Sequence, residues 1–181
     1  MPPITVQGRQ SPAVVQVVGY KNTGKTTLVC SLVEAFAAKG VRVGTVKHDA
    51  HDFDPDVPGT DSWKHRHAGA RWSAVASKAR TAFFEERETE LEDLLQRMRE
   101  AELVLVEGYK RKPYPKLVLI HSERDLPILD GLSAVLAVVT WDSGFLAEWA
   151  ERLERERGVR VVRFDDSAAI AGIVGDRIGS Y

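Results

Sequence analysis

The sequence predicts an α/β fold: a mostly parallel sheet with helices on both faces, organised as a single domain over residues 1–181. Three observations predict it. Short apolar runs rich in β-branched residues alternate with stretches of helical periodicity, the order expected of repeated βαβ units. Those runs are continuously apolar, which suits strands buried on both faces. Between the first run and the first helical stretch, Gly19-Tyr20-Lys21-Asn22-Thr23-Gly24-Lys25-Thr26 spells G-x-x-x-x-G-K-[ST].

The elements follow in order. Residues 13–18 read as the first strand, and Leu28, Leu32 and Phe36 mark the helix after the glycine loop. Residues 41–46 form the second strand, and the Pro/Gly/Asp-rich stretch 49–60 has no periodicity. Thr60-Asp61-Ser62 supplies N-cap chemistry for a helix from Trp63 to Ala70. Strands at 72–76, 81–84, 103–106, 117–120, 135–140 and 159–164 come next. A helix carried by Leu91, Leu94, Leu95 and Met98 falls among them, as does one carried by Leu146, Trp149, Ala150 and Leu153 that Gly158 ends. A last helix covers Ser167 to Ile178, with Asp165 or Asp166 at its start. Residues 81–84 and 117–120 are expected as antiparallel additions, because no helical crossover of sufficient length precedes either. No repeat, linker or composition shift marks a boundary.

Composition narrows the class. Hydrophobic content is 44%, charged content 28% and net charge −1, so no broad basic face awaits nucleic acid and no polybasic tail awaits a membrane. No apolar stretch approaches the roughly 18 residues of a spanning helix, and residues 1–10 lack the layout of a secretory signal. With one cysteine, Cys30, no internal disulfide forms; a packed, inert thiol is expected. A cytoplasmic protein is expected.

The glycine loop carries the chemistry. Backbone N–H groups of such a loop and of the following helical turn converge on an anion, and the helix dipole adds to the attraction. Lys25 would reach the outer phosphates of a nucleoside triphosphate, and Thr26 would offer its hydroxyl to Mg²⁺. The fold class is therefore that of the phosphate-loop (P-loop) NTPases. A second signal supports it: Leu103-Val104-Leu105-Val106-Glu107-Gly108 is an apolar strand ending in an acid, the place of the carboxylate that holds Mg²⁺ directly or through water. Gly108 would let the chain turn beside the phosphates.

Other segments admit several readings. Four of the five histidines, His48, His51, His65 and His67, lie close together with Lys47, Asp49, Asp52, Asp54, Asp56 and Asp61. This stretch could ligate a transition metal, bind an anionic substrate through Lys47, His48, Lys64 and Arg66, or be a solvated loop. Asp49 is the candidate for a second, catalytic acid near Mg²⁺, acting on its water shell or on the attacking water. Asp61 either caps its helix or joins the site. After Glu107, the basic and aromatic stretch 108–116 offers Lys110 and Lys116 as anion contacts, or is an ordinary loop. Asp142, after an apolar strand, is placed to accept two hydrogen bonds from guanine, although no full N-K-x-D motif is present.

Four blocks together resemble the MobB family of molybdopterin-guanine dinucleotide biosynthesis adaptors. They are residues 18–28; Gly44-Thr45-Val46-Lys47-His48-Asp49-Ala50-His51; residues 58–70, from Pro58-Gly59-Thr60-Asp61 to Ala68-Gly69-Ala70; and Val106-Glu107-Gly108-Tyr109-Lys110 with Pro115-Lys116. The resemblance implies a homodimer that binds GTP, hydrolyses it weakly at best, and assists a MobA-type guanylyltransferase in joining GMP to molybdopterin. Molybdopterin is then a candidate bound substrate. It also implies phosphate and Mg²⁺ contacts from Gly24, Lys25, Thr26 and Thr27. Lys47, His48, Asp49 and Asp61 would form the site edge, with Glu107 and Gly108 on the magnesium side. The wider group of dimeric NTPases often carries a lysine directly after the first loop glycine; here Tyr20 takes that position and Lys21 follows.

The expected function is thus a Mg·GTP-binding adaptor with slow hydrolysis, since no water-orienting glutamine or arginine finger is evident and lacking such a group lowers rates by about 10³–10⁵. A small-molecule kinase or ligase using the basic residues of 64–66 and 110–116, and a metallochaperone GTPase using the His/Asp loop, are the alternatives.

Overall fold

The computed structural model describes residues 11–49 and 52–178; residues 1–10, read above for a signal, and His51 lie outside them. Two compact units form, one from the chain up to His48 together with Leu95 onward, the other from Asp49–Leu94. No helix among the described residues is long and apolar enough to cross a membrane.

The first unit is a six-stranded, wholly parallel sheet. Its strands are β1 (Ala13–Gly19), β2 (Val43–Lys47), β5 (Leu103–Glu107), β6 (Lys116–Ile120), β7 (Val135–Thr140) and β8 (Arg160–Arg163), in the order β2-β5-β1-β6-β7-β8. The expected fold class holds. Strands β1, β5 and β6 are buried almost throughout, as their unbroken apolar runs require. One layer against the sheet comes from α1 (Lys25–Ala37) and α5 (Ser167–Ile178), which bury Leu28, Val29, Leu32 and Phe36 with Ile170, Ala171, Ile173 and Val174. The other is built from a 3-10 helix, Glu123–Gly131, and α4 (Ser143–Arg157), through Ile128, Leu129, Phe145 and Leu153. Caps end the helices where the sequence places them. Asp166 accepts from the Ala169 amide at 3.0 Å, and Gly158 closes α4 at φ 64°.

Strand β6 corrects one expectation. It is not an antiparallel addition but a central parallel strand, paired with β1 and β7. A parallel crossover ordinarily needs a dozen or more residues to climb back along the sheet. Here Glu107 at the end of β5 is level with Val17, and Lys116 at the start of β6 is level with Gln16. The chain steps back by one residue and sideways across β1, about 10 Å. Residues 108–115 suffice, and this segment covers β1 where a helix would otherwise lie.

The second unit holds α2 (Asp61–His67) and the hairpin of β3 (Trp72–Ala76) and β4 (Thr81–Glu85). Residues 81–84 are antiparallel as expected, but β4 pairs with β3 in a separate two-stranded sheet instead of adding to the main one. Their burial shows why the apolar reading misleads: Trp72, Val75 and Phe83 are exposed. Arg66 organises this unit. Its guanidinium pairs with Asp54 at 2.8 Å, Asp56 at 3.3 Å and Glu86 at 2.6 Å, and lies over the Phe84 ring. The hydrogen bonds to Asp54 and Glu86 raise its pKa further, and Arg66 in turn lowers that of Asp54. α3 (Leu91–Arg97) leads from this unit into the first.

Candidate phosphate-binding site

At the carboxyl end of β1 the chain turns through residues 19–24 into α1. Asn22 (φ 62°) and Gly24 (φ 91°) take left-handed conformations that bend the loop around. Gly24 is the N-cap of α1, and its carbonyl accepts the first helical bond from the Leu28 amide at 3.0 Å. A side chain there would be strained by φ and would meet the Trp141 ring at 3.1 Å, so the G-K-T signature needs this glycine. Thr23 is buried and donates from Oγ1 to the Tyr20 carbonyl at 3.0 Å, closing the turn. Lys21 and Thr27 are exposed on either side, and Gly19 ends the strand.

The Lys25 ammonium donates to the Tyr20 carbonyl at 2.6 Å, inside the loop that its charge would share with an anion. Burial lowers its pKa, the Glu107 carboxylate opposes that shift, and the positive charge of Lys47 adds to it. Three charged side chains are thereby brought together. Lys47 and Glu107 are register partners on β2 and β5, and β5 lies beside β1.

Thr26 and Glu107 meet directly. The Thr26 hydroxyl donates to the Glu107 carboxylate, with Oγ1 3.0 Å from each oxygen. A hydroxyl and a carboxylate are hard oxygen donors of the kind Mg²⁺ takes. Their spacing is close to the roughly 2.9 Å edge of an octahedron with ligands at 2.0–2.1 Å. These residues fit the ion. Among the described residues no three His, Cys, Asp or Glu side chains gather as a group that could hold a metal.

Gly108 follows at φ 98°, and a Cβ there would lie 3.1 Å from that of His48. His48 in turn donates its amide to the Glu107 carbonyl at 2.9 Å and packs its ring on Tyr109, centroids 4.5 Å apart. Lys110 is exposed on the same turn. Beneath it, Gln16 donates to the carbonyls of Gly108 (3.0 Å) and Tyr109 (2.6 Å).

Several expectations change. Lys116 is not an anion contact: it is fully buried, and its ammonium donates to the carbonyls of Lys112 (2.9 Å), Tyr114 (2.7 Å) and Ser133 (2.9 Å). Backbone laid over a sheet face presents carbonyls that need donors, and Gln16 and Lys116 supply them. Arg66 is committed to three carboxylates of its own unit and does not stand ready as the expected anion group, whereas Lys64 is exposed and only loosely paired with Asp61 at 3.5 Å. Thr60, not Asp61, is the N-cap of α2, accepting from the Trp63 amide at 3.4 Å. His67 stacks on Trp63 within that helix. Cys30 is exposed rather than packed, because α1 turns Leu28, Val29 and Leu32 inward and Cys30 out. Asp49 is exposed and begins the second unit.

Asp142 is the N-cap of α4; its Oδ1 accepts from the amides of Gly144 at 2.8 Å and Phe145 at 3.3 Å. Of these two neighbours, Trp141 touches the phosphate loop, a contact that no sequence signal announced. The indole N–H donates to the Thr23 carbonyl at 3.2 Å, and the ring stacks on Phe164 with centroids 3.4 Å apart. Gln16 was also missed, though a lone amide inside an apolar strand was its signal.

Comparison with known proteins agrees with this arrangement. Residues 14–141 match the family model described as Molybdopterin guanine dinucleotide synthesis protein B, MobB. The molybdopterin-guanine dinucleotide biosynthesis adapter protein of Escherichia coli is 40% identical over 121 residues, 64% of this chain and 69% of that protein. A probable adapter protein of the same description from Bacillus subtilis is 30% identical over 161 residues, 87% and 88% of the two chains. Among solved structures, Bacillus subtilis MobB superposes with a TM-score of 0.77 at 28% identity, covering 93% of this chain and 99% of that one. A MobB homolog from Bacillus stearothermophilus gives 0.69 at 32% identity, with the same coverage. A phosphate loop, an acid at the end of the adjacent strand and these likenesses lead to one conclusion: the chain belongs to the MobB family of adapters in molybdopterin guanine dinucleotide biosynthesis.

Proposed function

We propose that this chain binds Mg·GTP in the loop 19–26, hydrolyses it slowly, and acts as a homodimeric adaptor beside a MobA-type guanylyltransferase in the cytoplasm. The observation that carries the reading is the Thr26–Glu107 pair at the mouth of the loop, two oxygen donors at magnesium spacing next to an ammonium group. Mg²⁺ would be held by these two residues and would neutralise phosphate charge. Lys25 grips the outer phosphates. The amides of Gly24 through Thr27, at the start of α1, face the polyphosphate, and Asn22, Thr23 and Lys21 shape the approach. Lys47, His48, Gly108 and Lys110 border the nucleotide, and Asp142 reads the guanine. The role of Asp49 as a catalytic acid rests on its place in the sequence, directly after His48. Molybdopterin as a bound substrate rests on the family alone.

Slow hydrolysis follows from the chain's own inventory. The loop orients the phosphates, but among the described residues the groups acting on Lys25 are Tyr20, Glu107 and Lys47, with no glutamine or arginine among them, and such groups are worth about 10³–10⁵ in rate. The test is calorimetric titration of GTP and ATP with Mg²⁺, on the unmodified protein and on Lys25→Ala and Glu107→Gln. Lys25→Ala should abolish measurable binding. Glu107→Gln should retain binding without metal but lose its enhancement by Mg²⁺. Equal affinities for GTP and ATP would remove guanine from the reading, and turnover above about 1 s⁻¹ without partners would contradict slow hydrolysis.

A further inference from the structure

The peptide between Thr23 and Gly24 has its carbonyl held from outside the loop. The Trp141 indole N–H donates to it at 3.2 Å. The indole is itself fixed, stacked on Phe164 with an interplanar angle of 14°. Phe164 is tied down in turn, its amide donating to the Thr140 carbonyl at 2.8 Å. Thr140 is fully buried and accepts the Asp142 amide on its hydroxyl at 3.1 Å. A chain of fixed groups therefore runs from the ends of β7 and β8 to a single loop carbonyl.

A trans peptide is planar, with its C=O and N–H pointing to opposite sides. Holding the Thr23 carbonyl toward Trp141 aims the Gly24 N–H the other way, toward the concave side where a phosphate would sit. Gly24 has φ 91° and no side chain, so nothing in its own structure fixes that plane. We propose that Trp141 is a positioning residue for the bound polyphosphate, its indole N–H setting the Thr23–Gly24 peptide so that the Gly24 amide faces the anion. The inference rests on the nucleotide-binding reading and adds to it the residue that presets the cradle. Preset donors bind an anion better than donors that must first turn, because no ordering cost is left to meet on binding.

The test uses the full chain with Mg·GTP and, separately, Mg·tripolyphosphate, a ligand without a base. Trp141→Phe keeps a ring against Phe164 and removes the N–H; Trp141→Ala removes both. Trp141→Phe should weaken tripolyphosphate and GTP alike by about five-fold, with Tm lowered by only about 2–4 °C for the one hydrogen bond lost. Trp141→Ala should weaken both further. The specific signature is the Gly24 amide in a ¹H–¹⁵N spectrum. In the unmodified protein it should move downfield on adding tripolyphosphate, and in Trp141→Phe that movement should shrink. Unchanged affinity together with an unchanged Gly24 shift would overturn the inference while leaving the nucleotide reading intact. A loss confined to GTP would also overturn it, since Trp141 would then act on the base. Tight tripolyphosphate binding without preference for GTP over ATP would remove guanine and leave Trp141's role standing. No polyphosphate binding by the unmodified protein would end both.

Discussion

Lys116→Met is the perturbation that best tests how the segment after Glu107 is held. The native ammonium has no solvent exposure and makes three charge-assisted bonds to backbone carbonyls at 2.7–2.9 Å. Burial lowers its pKa, yet the three carbonyls favour the protonated form. Methionine fills nearly the same volume, so cavity effects are small and the loss is electrostatic. Each carbonyl left without its donor costs about 1–3 kcal/mol, and turning some of them toward water recovers part of that. Three such carbonyls, partly rescued by water, set the expected destabilisation at about 3–5 kcal/mol. For a chain of this size that lowers Tm by roughly 6–20 °C. Urea unfolding followed by tryptophan fluorescence and circular dichroism measures it, with Lys110→Met, on the same segment but exposed, expected within about 0.5 kcal/mol of the unmodified protein. A Lys116→Met loss below about 1 kcal/mol would refute the reasoning, because the carbonyls would then have satisfied themselves without the ammonium.

Further outcomes follow from the site. Asp142→Ala should destabilise by about 0.5–2 kcal/mol through loss of the α4 cap, whereas Asp142→Asn keeps a capping oxygen and should unfold like the unmodified protein. If Asp142 reads guanine, the Asn variant alone loses the preference for GTP over ATP in calorimetry; a retained preference removes that role. The pKa of Lys25 lies below its usual 10.5 because burial disfavours the charge, with Lys47 adding to the effect and Glu107 opposing it. Polyphosphate binds the ammonium form, so affinity should hold at neutral pH and fall as pH rises through the lowered value, before 10.5 is reached. Lys47→Met should move that fall to higher pH in a fluorescent-nucleotide titration, and an unmoved midpoint would show that Lys47 does not repel it.

The sheet and the loop were legible because their signals are local. A phosphate loop is defined by spacing, and residues such as Val14, Val15, Val17 and Val18 declare a buried strand on their own. What escaped was set by distant partners. The direction of β6 depends on its stagger against β1, which no run of residues encodes. Lys116 reads as a surface cation until the backbone above it is known to present carbonyls. Arg66 looked like an anion group because the carboxylates that consume it lie 10, 12 and 20 residues away. β3 and β4 carry apolar residues without burying them, so composition alone assigned them to the wrong sheet. Trp141 escaped because its partner, the Thr23 carbonyl, lies 118 residues away.

The Arg66 cluster gives the unit 49–94 an unusual dependence. Its short helix buries no residue, so a single guanidinium and its three carboxylates do much of the work that an oily interior does elsewhere. Cohesion of that kind responds to dissolved ions, which leave apolar cohesion intact or strengthen it. Added sodium chloride should therefore loosen these residues more than the parallel sheet, chiefly through the half-exposed Asp54 and Glu86 arms, because the buried Asp56 arm is screened less.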